Sequence, residues 1–252
     1  MKKPIKGLLV ISLIIVLGAC SKQEKQMRRE VSKDINTELV KKVTGAWLGE
    51  GEKEKKIYDI TYKKQTLWIN QEELEVTETK DNLVLTQTKK EKPFFYDFKI
   101  EGENITVMPS YPVPEGQSGG QLAPIKLIPI DTKEIEVHNS EKDELINFEE
   151  TLKTSLDMFE RKEAFLLKMT RFTTEGDPIF EMLRFNGEEI NYYHDNSKDT
   201  FGEKNIINTN YKHMSYEEKT DDTGQKIKEF ILSEPVEKES DKQVIFDIQN
   251  VE

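Results

Sequence analysis

The chain has 252 residues, a formal net charge of −11 and 34% charged residues, with a mean hydropathy of −0.68. That length suits two domains of ordinary size, and a single cysteine excludes an internal disulfide. The acidic balance argues against nucleic acid as a partner, since phosphate contacts require basic surface.

The charge is unevenly spread: +3 over residues 1–20, +3 over 21–44 and −17 over 45–252. Lys2, Lys3 and Lys6 precede an apolar run from Leu8 to Leu17, broken only by Ser12 and closed by Gly18 and Ala19. That is the layout of a secretory signal peptide, residues 1–19. From Gly7 to Ala19 the segment has 13 residues, too few for the roughly 20 of a membrane-spanning helix. The only cysteine, Cys20, follows it directly.

Leu17-Gly18-Ala19-Cys20 resembles the lipobox of bacterial lipoproteins. The resemblance implies cleavage between Ala19 and Cys20, and a diacylglycerol thioether on Cys20. Two acyl chains anchor stably where one is marginal. The expected location is therefore the extracytoplasmic face of the cell membrane, with the lipid as the membrane contact.

Residues 20–44 then form a basic stem. Met27, Val31, Ile35, Leu39 and Val43 recur at a spacing of four, which predicts a helical stripe stopped at Gly45. Basic residues near an anionic bilayer are attracted and an acidic body is repelled, so the body is expected to stand off the membrane.

Beyond Gly45 the period shortens. Strands are predicted at 45–50, 55–62, 65–70, 72–79, 82–88, 94–101, 104–110, 123–130 and 133–138, with antiparallel hairpin turns at "KDN", "EGEN" and "SEKD". Gly45-Ala46-Trp47 is similar to the Gly-x-Trp start of lipocalin-like barrels, a likeness that makes Trp47 a structural residue closing one barrel end. A barrel of eight strands holds its own side chains or one small ligand, and Trp68, Phe95 and Phe98 are the side chains expected to line an apolar cavity. "SYPVPEGQSGGQLAP", 110–124, breaks the strand rhythm. Loops of that length are often functional, and its Tyr111 and Leu122 are candidate contacts for an apolar ligand or a partner protein.

Leu152, Leu156, Phe159 and Leu166 predict a linking helix over about 150–162. It separates a first β region, 45–149, from a second, 163–252, with strands near 163–172, 178–185, 189–194, 209–218, 226–233 and 243–249. "LWINQEELEV" (67–76) and "LRFNGEEINY" (183–192) echo one another, as a duplicated domain or as convergent hairpin turns. The fold class is mainly β with minor α: an antiparallel barrel or curled sheet, a linking helix, a second antiparallel region and a helical stem.

Catalytic sets are scarce. His138, His194 and His213 have no metal-binding spacing, and neither a nucleophile elbow nor a phosphate loop is present. Glu72-Glu73 and Glu188-Glu189 fall at turns, where carboxylates are solvated. Asp195, Ser197, Asp199 and Glu203 alternate oxygens as calcium loops do. Thr200 and Ile206, however, replace the glycine and the bidentate glutamate of such loops, so Asx turns are expected there and neither metal nor cofactor. The expected function is non-catalytic: binding or interaction at the membrane, holding a small apolar ligand. The alternatives are an envelope assembly role toward cationic partners and, less favoured, an envelope hydrolase.

Overall fold

The computed structural model describes residues 28–51, 55–114, 117–138, 142–220, 222, 224–234 and 242–249. It divides into two compact units. The first holds the described residues of 1–45, 49–54 and 58–128, and the second those of 46–48, 55–57 and 129–252.

The first unit holds a short helix α1 (Thr37–Lys42) and all or part of the strands β1 (Gly45–Glu50), β2 (Lys55–Lys63), β3 (Thr66–Ile69), β4 (Glu72–Lys80), β5 (Leu83–Thr88), β6 (Phe95–Glu101), β7 (Asn104–Ser110) and β8 (Ile125–Pro129), with residues 46–48 of β1, 55–57 of β2 and 129 of β8 grouping with the second. The eight strands close in sequence order into a barrel. Register explains closure. Ile60 faces Ile69, Leu67 faces Leu74, Val84 faces Phe98, Phe98 faces Val107 and Ile105 faces Leu127. Each of these side chains is at most 3% exposed, so alternation with period two puts one face of every hairpin inside. Tight turns set that register. Lys64-Gln65 and Asn70-Gln71 carry positive φ, as the two central residues of a type I′ turn must.

The predicted helical stem is not what the described part of it forms. Residues 28–36 are irregular, and only α1 is helical, capped by Asn36, whose side chain accepts from Glu38 N and Leu39 N. The stripe reads differently in space: Val40 and Val43 are fully buried while Val31 is half exposed. The reason is competition from the barrel. β4 has a register irregularity between Val76 and Glu78, and the carbonyl of the intervening Thr77 accepts the Ser32 N–H at 2.7 Å. A bulge leaves a residue outside the ladder, and the stem backbone takes up its carbonyl instead of coiling on itself.

The second unit contains β9 (Asp131–His138), helix α2 (Lys142–Glu160), β10 (Phe165–Phe172), β11 (Pro178–Phe185), β12 (Ile190–Asp195) and β13 (Ile206–Tyr211), followed by β14 (His213–Thr220), β15 (Lys226–Ser233) and β16 (Lys242–Gln249). One sheet runs β13-β12-β11-β10-β9 and a second β14-β15-β16. β9 is thus not the last strand of the first region, as the sequence suggests. It pairs parallel to β10, and residues 139–164, which include α2, exceed the dozen or so that a crossover needs. The helix also starts earlier than predicted. Leu145 and Phe148 extend the stripe of Leu152, Leu156 and Phe159, and all pack in one core with Leu167, Leu183, Phe230 and Phe246. Glu144 accepts the His138 N–H at 2.7 Å, tying the first turn to β9 where "SEKD" predicts a hairpin. The strand expected at 209–218 is two strands. Tyr211 and Met214 both enter the core while Lys212 N bonds Ser233 O, so the chain switches sheets at a corner.

Both copies of the internal echo are hairpins, β3–β4 and β11–β12. One belongs to a closed barrel and the other to an open sheet, so the shared residues mark turn chemistry.

Barrel closure depends on one close approach. A Cβ on the buried Gly49 would lie 2.3 Å from Tyr58 Cε2 and 2.9 Å from Ile125 Cγ2. Gly49→Ala is expected to destabilise the barrel by about 1–3 kcal/mol, the usual cost of overpacking. Urea unfolding followed by the fluorescence of Trp47 and Trp68, the chain's two tryptophans, measures it.

Candidate functional site

Three strands of the second unit converge on one carboxylate. In β11, Glu181 lies between Phe180 and Met182, and alternation turns it to the side of the core residues Leu183 and Phe185. Its side chain has no exposure. Arg171 of β10 donates to it through Nε at 2.7 Å and Nη2 at 3.1 Å. From β12, the Tyr192 hydroxyl donates at 2.7 Å and His194 Nδ1 lies at 3.0 Å. An ionised carboxylate only accepts, so the His194 proton sits on Nδ1. The Arg171 guanidinium also stacks 4.9 Å from the Phe246 ring centroid.

Burial opposes ionisation of Glu181. The His194 hydrogen bond, the Arg171 charge and hydrogen bonds, and the Tyr192 hydroxyl outweigh that cost, so the carboxyl titrates below its ordinary range. The Tyr192 hydroxyl is pushed far up, by burial first and then by the Glu181 charge. A carboxylate bonded to an imidazole Nδ1 is also the pairing by which hydrolytic relays orient a base. Among the described residues, no hydroxyl or thiol is hydrogen-bonded to His194 Nε2. The cluster as built is a fully answered buried charge.

A second buried carboxylate lies on α2. Glu149 accepts Lys228 Nζ at 2.9 and 3.1 Å and Lys153 Nζ at 2.7 Å, and the Tyr216 hydroxyl lies at 3.4 Å. Burial raises its pKa and the two lysines more than reverse this, leaving it low.

In the first unit the site is a strap. Arg29 grips Asp97 with both terminal nitrogens, Nη2 at 2.8 Å, and its guanidinium lies 4.0 Å from the Phe95 ring centroid. Its backbone N–H donates to Gln87 Oε1 at 2.9 Å while Gln87 Nε2 returns to Arg29 O and to Glu75. Gln87 is 1% exposed. Beside the strap is a cleft of about 440 Å³ lined by Val31, Ile35, Tyr62, Leu74 and Val76 among others.

The residues singled out in the sequence are dispersed. Trp47 is buried in β1, at 8% exposure. Tyr111 and Leu122 are both exposed, and the loop between them doubles back: Tyr111 N donates to Gly120 O at 2.7 Å and Leu122 N to Pro109 O at 3.0 Å. Phe98 is a filled core position and Phe95 lies under Arg29. Trp68 lines a cleft of about 510 Å³ whose other walls are polar, among them Glu72, Glu73, Lys89 and Lys90. The oxygen-rich loop bonds to itself. Asp195 accepts Ser197 N and the Tyr193 hydroxyl, Asp199 accepts Phe201 N and Gly202 N, and Glu203 O accepts Asn196 Nδ2. Among the described residues, no three His, Cys, Asp or Glu converge on a metal position. Ala19 and Cys20 lie outside the described residues, and among those described no helix is long and apolar enough to cross a membrane.

The Glu181 cluster is missing from the sequence reading. Its signal was a charged residue at an inward position of an apolar strand, Glu181 in "IFEMLRF".

Glu181→Gln removes the charge that answers Arg171. A loss of roughly 3 kcal/mol is expected, the low end for breaking a buried pair, because a quarter of the Arg171 side chain remains exposed. A lowered folded-state pKa gives stability that is complete above the unfolded value, ordinarily 4.5, and is lost as pH falls through the folded value. Thermal melts from about pH 3 to pH 7 should therefore show an acid loss in the parent chain that is smaller in Glu181→Gln. Arg29→Lys cannot reproduce a bidentate, ring-stacked contact. A loss of about 1.5–3 kcal/mol at a charged hydrogen bond predicts amide exchange over residues 29–36 faster by tenfold or more.

Residues 137–226 match the family model of a domain of unknown function, DUF4362. That stretch runs from the end of β9 to the start of β15 and contains Arg171, Glu181, Tyr192 and His194, with no barrel strand. No curated protein and no solved structure matches the chain.

Proposed function

We propose that this chain is a membrane-anchored extracytoplasmic lipoprotein with a non-catalytic interaction role, carried out by the outer surfaces of its two units. The lipobox-like Leu17-Gly18-Ala19-Cys20 supports the anchor. The observation that carries the interaction reading is the filled barrel interior: Ile60, Leu67, Leu74, Phe98 and Leu127 are all under 2% exposed. An eight-stranded barrel has room for its own side chains or for one small ligand, and here side chains take the space. What remains for partners is the outside, including exposed Tyr111, Val113 and Leu122 on the doubled-back loop.

A second reading keeps the small ligand and moves it. The cleft beside the strap sets Val31, Ile35, Tyr62 and Val76 among polar walls that include Lys33, Glu75 and Lys89, and at about 440 Å³ it suits a small amphipathic ligand, within the usual range for small-molecule sites.

Detergent-phase partition of the full chain from a bacterial host tests the anchor. The parent chain is expected in the detergent phase, and a Cys20→Ala chain that partitions equally through a lipid-independent route overturns the anchor. Native mass spectrometry of the same detergent-released chain separates the two roles. A bare protein mass supports surface interaction, and a retained small-molecule mass that disappears in Val76→Arg supports the strap cleft.

A further inference from the structure

We infer that β13 is a self-pairing edge, through which two copies of this chain join their five-stranded sheets antiparallel across a two-fold axis. The inference is independent of the lipid anchor.

Four strands of the second unit end a sheet: β9, β13, β14 and β16. Exposed edges invite pairing with another chain, and proteins blunt them with charge. β9 and β14 follow that rule: β9 carries Asp131, Lys133, Glu134 and Glu136, and β14 carries Glu217, Glu218 and Lys219. β13, "IINTNY", carries no charge in a chain that is 34% charged. Its Ile206 is 59% exposed, and Asn208, Thr209 and Asn210 are exposed beside it.

The backbone of β13 is set for a partner. Asn196 N donates to Asn205 O at 3.1 Å, in register with the β12–β13 ladder of His194 with Ile207 and Tyr192 with Thr209. Residues 205, 207 and 209 thus turn their polar groups toward β12, and alternation turns the N–H and C=O of Ile206, Asn208 and Asn210 outward. No backbone hydrogen bond takes up those groups among the described residues. The strand is also held in place by its side chains. Asn191 Nδ2 donates to Asn208 Oδ1 at 2.7 Å and Asn210 Oδ1 at 2.8 Å, Arg184 Nη1 donates to Asn191 Oδ1, and Asn210 Nδ2 reaches Glu189. An edge fixed in advance loses little freedom on pairing.

A second copy fits this edge for a reason of charge. In a two-fold antiparallel pair centred on Asn208, Asn208 faces its own image and Ile206 faces Asn210 of the other copy. An isologous contact sets each surface against itself, so any charge at the centre would meet its like, which is costly. For a chain of net charge −11, an uncharged strand is where two copies approach without that cost. The pairing also covers the exposed Ile206.

The test uses the full chain in membranes of an expression host. Asn208→Cys should give an oxidant-dependent, dimer-sized band on a non-reducing gel. The parent chain, with its lone Cys20, and Glu136→Cys on the opposite edge should not. Light scattering of the detergent-solubilised chain should report a dimer, weakened about a hundredfold by Asn208→Lys, as like charges placed face to face require. Asn208→Pro removes one outward N–H where an edge strand tolerates proline and should act in the same direction, with an unchanged circular dichroism spectrum showing that the fold persists. A monomeric parent chain, a dimer that survives both substitutions, or an Asn208→Cys crosslink to a protein of another mass would each overturn the proposal.

Discussion

A β-strand offers a row of backbone donors and acceptors on each side, and every row must meet another strand, another segment or water. This chain meets the requirement in two ways. The first unit closes β1–β8 on itself and leaves no edge. Closure then dictates the interior, because every second residue of each strand points into a space filled mostly by apolar side chains, with Thr86 and Thr88 admitted through hydrogen bonds to backbone. The bulged position Thr77 is answered from outside by Ser32. The second unit stays open and covers its apolar faces with α2 and a small sheet, sharing one core of residues such as Phe148, Leu167 and Phe230.

Charge enters these cores under strict terms. Glu181, without exposure, and Glu149, nearly so, are each surrounded by cations or hydroxyls that hold the ionised form. Ion pairs of this kind add little net stability over apolar packing, but they penalise misassembly heavily, because a slip of one residue in β11 would strand Glu181 without partners. The strap works on the same terms: Arg29 satisfies Asp97, covers Phe95 and closes the polar set around Gln87.

Local pattern made most strands legible. Alternation in "KIYDITY" and turn residues such as Asp81 and Gly102, both at positive φ, locate hairpins without knowledge of what lies across them. Information carried by distant partners was not legible. Nothing local to residues 28–36 shows that a bulge in β4 competes for their backbone. Nothing in "IEVH" shows that β9 leaves the barrel for a parallel partner, because that depends on the length of the α2 crossover. The Glu181 site was hidden for the same reason. Arg171, Glu181, Tyr192 and His194 are ordinary strand residues until the register of β10, β11 and β12 brings them to one point, whereas the Asx turns expected of the oxygen-rich loop at 195–203 follow from its local sequence.

The Arg29 clasp sets a leash length. From Cys20 to Arg29 the chain advances nine residues, and a fully extended chain gains at most about 3.6 Å per residue. If Cys20 sits at the bilayer surface, as proposed, the barrel cannot rise more than about 30 Å above it, which is about four Debye lengths at physiological salt. Without the clasp, the tether would run on to Ser32, which the Thr77 carbonyl holds, and lengthen by about a third. The contacts of Arg29 and Ser32 with the barrel therefore shorten the tether, and with it the layer above the lipid headgroups that an anchored barrel can reach.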